Sequence, residues 1–481
     1  MTRFLIISIG LLLGVGQASD SATAAEDAAL RAGAAAIDIT PRPGVSMDGS
    51  ISKPGPVLGV NDRLHARALV LDDGATRLAI VVVDACMVGE DVFNAAKAIV
   101  EKESGLPQNR MLMAATHSHA VVRLIHIGTG KLDDAYHKEA SRKIAQAVLQ
   151  AEKNLAPAQI GYASFNKPEF LACRRFLCEP GSVGPNPFGE TGETIKSVAM
   201  RSRHVIKPAG PVDPEFSILS VQHADGTPLA VLGNYSVHYC GGYRKGIVSA
   251  DYFGHYAAAL EEQLDSEGDS HPPFVGIMSN GTSGNTGGLR NITGKKYPPY
   301  GWMEEAGGML AEQTLEEMES IEYQDEITLA MVQSELELGV RKPDEERLAW
   351  ARALLKKPKE KYPHRWSKIY AGHALRLAEY PETVSITLQA IRIGDIAIAA
   401  MPCEVFAESG LRIKANSPFE KTFSMELANG YGGYLPTPEQ HELGGYETWE
   451  ARSSFLEVGA EPKIVAEVLR LLGKVKSEDG E

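Results

Sequence analysis

The chain has no excess of positive charge: 48 lysines and arginines face 62 aspartates and glutamates, a formal net charge of −14. A surface of that sign repels phosphate backbones and anionic bilayers, which excludes general nucleic-acid binding. Cysteine is scarce as well. Five thiols in 481 residues do not make a disulfide-stapled scaffold, and an odd number leaves at least one unpaired. Cys173 and Cys178 are spaced to close a small loop but lack the paired CxxC pattern of a zinc ribbon. With Cys86, Cys240 and Cys403 they read mainly as core residues. After the N-terminal stretch no apolar run approaches the roughly 20 residues of a membrane-spanning helix, so no stable membrane insertion is expected. Hydrophobic residues at 44% and charged residues at 23% are ordinary globular values, which excludes disorder and fibrous repeats.

What is present begins with a targeting signal. Arg3 precedes an apolar stretch from Phe4 to Val15, and small residues follow through Gly16, Gln17 and Ala18. Residues 1–18 read as a signal peptide, with cleavage as late as residues 24–25, and the product is expected to be secreted or periplasmic. The remainder, 26–475, reads as a single α/β domain. Apolar, β-branched runs predict strands over 66–71, 77–83, 110–115, 159–163, 217–222, 229–235, 274–278, 385–393 and 396–400. Amphipathic stretches predict helices over 91–103, 134–154, 252–264, 303–321, 345–355, 406–414 and 462–472. No internal repeat is visible. Residues 179–214 are rich in Gly, Pro, Ser and Thr and predict a long surface excursion. Residues 339–379, centred on a lysine-rich run, predict a solvated helical insertion.

Chemistry concentrates at the ends of apolar strands, where α/β sheets bind ligands. Thr116-His117-Ser118-His119 follows one such run, His238 ends a second, and Cys403-Glu404 ends a third. A spacing of two puts His117 and His119 on one face if the strand continues and splays them if a loop begins, so one or both are available to a metal. Two histidines and a carboxylate on rigid strand ends suit a catalytic Zn²⁺. Ser279 to Gly288 is a Gly- and Asn-rich stretch after a further apolar strand, offering backbone N–H groups where an oxyanion could be held. Residues 429–439 place tyrosines in a tight turn, with Tyr446 twelve residues beyond Tyr434.

These motifs in this order resemble the neutral (alkaline, non-lysosomal) ceramidase family. The likeness runs from Ala35-Ala36-Ile37-Asp38-Ile39-Thr40-Pro41 through residues 59–68, Thr116-His117-Ser118-His119, Ser249-Ala250-Asp251-Tyr252, Pro402-Cys403-Glu404 and residues 429–439. The resemblance implies a mixed-sheet ceramidase-like catalytic domain without the C-terminal β-sandwich. It implies zinc held by His117, His238, Glu404 and Tyr434, with His119 and Tyr446 at the substrate carbonyl and Arg174 near the site. Asn285 and Thr286, in the Gly-rich stretch, are the remaining candidates for substrate contact. One departure matters: Ser283-Gly284-Asn285 is followed by Thr286-Gly287-Gly288, so no serine stands in register with the family's nucleophile. The expectation is therefore a zinc-dependent hydrolase of an amide or related bond, with a zinc-bound water as nucleophile and ceramide a poor substrate. Its substrate is a small molecule, lipid or glycan. Two alternatives stand beside it: a zinc-dependent lyase or hydrolase of a uronate-containing glycan, and a binding protein that has lost catalysis.

Overall fold

The near-continuous apolar runs demand a sheet covered on both faces, because alternation of polar and apolar residues is absent from them. The computed structural model, which describes residues 30–49, 55–127, 132–197, 202–265, 272–288 and 296–477, meets that demand with two stacked sheets. The signal-peptide expectation falls outside the described residues. No helix among them is long and apolar enough to cross a membrane.

The larger sheet has eight strands: β1 (Arg31–Asp38), β2 (His65–Asp72), β3 (Arg77–Val83), β4 (Met111–Ala115), β5 (Ala156–Asn166), β6 (Glu215–His223), β7 (Pro228–Tyr235) and β8 (Val275–Asn280). Their order across the sheet is β8-β7-β6-β5-β1-β2-β3-β4. Neighbours are antiparallel except at the two edges, where β3 pairs β4 and β7 pairs β8 in parallel. The smaller sheet runs β9 (Leu329–Gly339), β10 (Thr383–Ile393), β11 (Ile396–Ala400) and β12 (Lys421–Met425), with β11 parallel to β12. Each parallel pair needs a crossover helix. These are α1 (Glu90–Ser104), α2 (Asp251–Leu264) and α3 (Ala407–Asn416).

Leu69, Ile80, Leu112, Leu219, Leu232 and Ile277 from one sheet pack against Met331, Ile391, Ile398 and Phe423 from the other. The alternate residues Val70, Val81 and Met113 face α1 and the Asp134–Lys153 helix, while Ala397 and Ala399 face the Ala460–Ser477 helix. Four layers result, helix–sheet–sheet–helix, and the mixed α/β expectation holds. All sixteen expected elements form, with ends shifted by a few residues.

Among the strands of the two main sheets, β1, β9 and β12 were not anticipated. In β1 the sequence RAGAAAID favours helix, and sheet pairing on both sides overrides it. Gly33 there is required, since a Cβ would lie 2.2 Å from the Ala151 carbonyl oxygen. The charged insertion is only partly solvated. Residues 356–361 are exposed, but Tyr370, His373, Ala374 and Leu377 are buried, so the inner face of the Ser367–Leu377 helix is wall rather than surface. The 179–214 excursion likewise folds back, as a three-stranded ribbon of Arg175–Cys178, Ile195–Ser197 and Val205–Pro208. All five cysteines are buried and free, and Cys173 and Cys178 form no disulfide.

Arg175 ties that ribbon to the segment carrying Tyr446. Its fully buried guanidinium donates to Glu447 Oε2 at 2.6 Å, to Gln440 Oε1 at 2.9 Å and to the Gly444 carbonyl at 2.7 Å. Breaking a buried pair strands a charge, so Arg175→Met is expected to cost about 3–5 kcal/mol in chemical denaturation. Arg42→Ala, which removes an exposed pair with Asp133, is expected to cost under about 1 kcal/mol.

Candidate metal centre

Three strand ends deliver the core of the site. His117 follows β4, His238 follows β7, and Glu404 opens a two-residue strand just after β11. His117 turns out of the sheet in a left-handed conformation, φ 71°, which a non-glycine residue adopts only under local constraint. Its N–H is held by the Ala85 carbonyl at 2.8 Å. The segment after His238 is buckled by Asp251, whose carboxylate accepts the N–H groups of Cys240 at 2.9 Å and Gly241 at 3.0 Å. Tyr252 holds the Val237 carbonyl at 2.9 Å. Gly284 lets the loop after β8 pack on Glu404, whose carbonyl oxygen would lie 2.4 Å from an added Cβ.

The three side chains converge, all buried. Nε2 of His117 is 2.9 Å from Nε2 of His238 and 3.3 Å from Glu404 Oε2, which lies 3.7 Å from His238 Nε2. Each imidazole uses its other nitrogen on a backbone carbonyl: His117 Nδ1 to Cys86 at 2.7 Å, His238 Nδ1 to Ser283 at 3.2 Å. Carbonyl oxygens only accept, so both Nδ1 atoms carry hydrogen and both neutral Nε2 atoms present lone pairs. Glu404 Oε2 is buried without a hydrogen-bond partner, while Oε1 accepts from Tyr431 at 2.8 Å. With both rings neutral, three acceptors point at one another with no donor between them. A cation among them removes that conflict, and the donor set of two nitrogens and one carboxylate fits a divalent transition metal.

With no cation present, a proton on His117 is the alternative source of positive charge. Burial works against a charged His117, yet Cys86 and Glu404 hold it well above the usual imidazole range, while burial with Arg174 and His117 drives His238 well below. The cluster favours one centre of positive charge. Cys86 lies 3.8 Å from His117 Nδ1, but burial pushes its thiol up to about 11, far from the thiolate a metal takes. Another trio, Asp91, His126 and His137, is mostly at the surface.

The remaining expected residues divide. His119 Nε2 lies 3.3 Å from His117 Nε2, and its ring stacks on Tyr239 at 3.9 Å. Tyr434 pairs in parallel register with Glu404, and its hydroxyl accepts from Arg174 at 2.9 Å. Tyr446 stands edge-on to Tyr434, ring centres 5.7 Å apart. Arg174 also donates to the Gly284 carbonyl at 2.8 Å and pairs with Glu447 at 3.1 Å. These residues line a cavity of about 620 Å³ together with His238, Trp366 and Trp449. A smaller one of about 100 Å³, lined by His117, Glu404 and Tyr431, lies beside it and shares His119, Tyr434 and Tyr446. The cluster is the partition between them.

Asn285 and Thr286 line neither cavity. The Asn285 amide donates to Glu408 at 2.7 Å and accepts from Ala407 N–H at 2.9 Å, and Thr286 is fully buried in a pairing with Cys173. Nor does the Gly-rich stretch offer an oxyanion hole, because the N–H groups of Gly281, Thr282, Ser283, Gly284 and Thr286 are all engaged by protein acceptors. It is scaffold. Ser283 donates its hydroxyl to Glu426 at 2.5 Å, away from either cavity.

Glu426, Tyr431 and Glu447 were not singled out in the sequence. Tyr431 lies within the tyrosine-rich turn and Glu447 directly after Tyr446, so proximity was their signal. Glu426 directly follows β12 as Glu404 follows β11 by four residues, a parallel hidden because β12 itself was not recognised. Burial pushes its carboxyl up to about 8.

No family model matches the chain. Among solved structures, a neutral ceramidase from Pseudomonas aeruginosa superposes with a TM-score of 0.71 at 18% identity, covering 93% of this chain and 74% of its own. A ceramidase complexed with C2 gives the same TM-score at 17% identity, covering 93% and 75%. This is a ceramidase-like fold. The shared architecture spans nearly the whole described chain, while identity this low leaves the chemistry to be argued from the residues themselves.

Tyr431 donates to Glu404 Oε1 from the wall of the smaller cavity and so orients that carboxylate. Tyr431→Phe is expected to weaken Zn²⁺ affinity about 10- to 100-fold in a chelator-competition titration, with circular dichroism unchanged.

Proposed function

We propose that the chain is an exported Zn²⁺-dependent hydrolase acting on an amide or related bond, in the secreted or periplasmic space. The observation that carries this reading is the unopposed convergence of His117 Nε2, His238 Nε2 and Glu404 Oε2 beside a large cavity. Tyr434, in register with Glu404, is the proposed fourth ligand. A bound ion would polarise the scissile carbonyl and would lower the pKa of a water toward about 7.

The chain's own groups supply the rest. Burial raises the Tyr446 hydroxyl above its usual range, so at neutral pH it is protonated and donates to an oxygen gaining charge. His119 is driven well below the usual imidazole range by burial, His117 and Arg174. It is therefore neutral, able to accept a proton from the attacking water and return it to the leaving group. Arg174 holds the Tyr434 oxygen, and Glu447 holds Arg174. No serine, threonine or cysteine side chain lines the larger cavity except Ser197, whose hydroxyl is bonded to Glu447 at 3.3 Å. Ser453 lines the smaller cavity, so the water nucleophile is proposed on the missing in-register serine and on the engaged hydroxyls of Ser197 and Ser283. Hydrolysis, unlike elimination from a uronate, leaves no ultraviolet-absorbing unsaturated product.

Metal content and turnover test the reading together. His117→Ala and His238→Ala are expected to abolish both, whereas Cys240→Ser leaves metal content unchanged. Tyr446→Phe and His119→Ala are expected to keep the zinc and lower turnover by about 10²- to 10⁴-fold. Rapid-quench mass spectrometry is expected to show no acylated enzyme. An acyl adduct on Ser283 or Thr286 removes the water mechanism.

A further inference from the structure

A protein with a net charge of −14 carries its larger cavity with the opposite sign. Arg174, Lys196 and Arg365 line it, and Glu447 is the sole carboxylate among its lining residues. That carboxylate is fully buried and already bound by Arg174, Arg175 and the Ser197 hydroxyl. Lys196 and Arg365 are exposed at the rim, and neither has an ion-pair partner among the described residues. Two unpaired cations over a walled cavity focus a positive field that draws an anion in.

The walls are as informative as the charges. Trp366, Trp449, Tyr446 and Tyr239 contribute rings, with Trp366 and Tyr446 centres 5.5 Å apart and Tyr446 and Trp449 6.2 Å apart. The Arg365 guanidinium lies 4.5 Å over the Trp366 ring, which fixes a cation beside an aromatic surface. Aliphatic wall is confined to Val183, Pro185 and Ile195. A long alkyl chain packs best on continuous aliphatic lining, whereas the described lining is mainly aromatic with cations beside it. A polar ring with apolar faces and a negative substituent matches both halves of the wall.

We infer that the cavity receives an acidic saccharide, its ring against the Trp366–Tyr446–Trp449 wall and its carboxylate at Lys196 and Arg365. The inference rests on the proposed hydrolase site for its reacting end, which the cluster at His117 and His238 supplies. Recognition of the acid is separable from that chemistry, because neither Lys196 nor Arg365 touches the metal cluster.

The test is equilibrium binding to the full chain by isothermal titration, with zinc content measured on the same samples. The probes are a glucuronate-containing tetrasaccharide, its carboxyl-reduced counterpart and a short-chain ceramide in mixed micelles. The acidic tetrasaccharide is expected to bind about tenfold more tightly than the reduced one, with the gap shrinking as salt rises. K196A/R365A is expected to erase the gap with zinc content unchanged, and Trp366→Ala to weaken both saccharides alike. Equal affinity for the two saccharides, a gap that survives in K196A/R365A, or no saturable binding of the acidic one overturns the inference. Failure of the unsubstituted chain to take up zinc overturns the hydrolase proposal, while preferential binding of the acidic saccharide to that chain leaves the acid-recognition inference standing.

Discussion

Three buried atoms that are all acceptors when the imidazoles are neutral impose the constraint on which the rest of the architecture depends. Two imidazole lone pairs 2.9 Å apart, with an unpartnered carboxylate oxygen within 3.7 Å of both, repel unless positive charge sits between them. Flexible loops would relieve such repulsion by moving apart. The ends of β4, β7 and β11 cannot, because each strand is buried on both faces and locked in register with its neighbour. Rigid sheet ends therefore hold an arrangement that a mobile segment would release.

The same logic extends outward in shells of decreasing rigidity. Backbone carbonyls of Cys86 and Ser283 select the imidazole tautomers, and Tyr431 turns the Glu404 carboxylate. Arg174 then links Tyr434, Gly284 and Glu447, while Arg175 clamps Glu447 to the ribbon and to the turn before Tyr446. One buried carboxylate thus couples the aromatic wall of the cavity to the Arg174–Tyr434 pair beside the cluster. At the rim, charge is exposed and unpaired. The proposed recognition of an acidic group would act there, away from the groups whose geometry must not move.

Much of this was legible before the fold was known, for identifiable reasons. Long apolar runs such as 77–83 and 396–400 mark buried strands because nothing else accommodates so many β-branched residues in a short stretch. The polar residues that end them, His117, His238 and Glu404, stand out by contrast. Legibility failed where tertiary context outweighed local preference. Alanine-rich β1 does not look like a strand, and β12 is short and partly polar, which concealed Glu426. The Gly- and Asn-rich loop at 279–288 has a composition suited to anion binding, yet its donors hold the Glu404 and Ser236 segments in place instead. Composition reveals that amides are present but not where their hydrogens point. The charged insertion misled for a related reason: its lysine run is exposed, but the helix beyond it turns Tyr370 and His373 inward, and Trp366 just before that helix faces the cavity.

Anomalous diffraction at the zinc edge, from crystals of the chain grown with zinc, tests the centre most directly. A single strong peak is expected about 2.0–2.1 Å from the Nε2 atoms of His117 and His238 and about 2.0–2.2 Å from Glu404 Oε2. No peak at that position under saturating zinc, or a peak only at Asp91, His126 and His137, contradicts a metal centre built on these three strand ends.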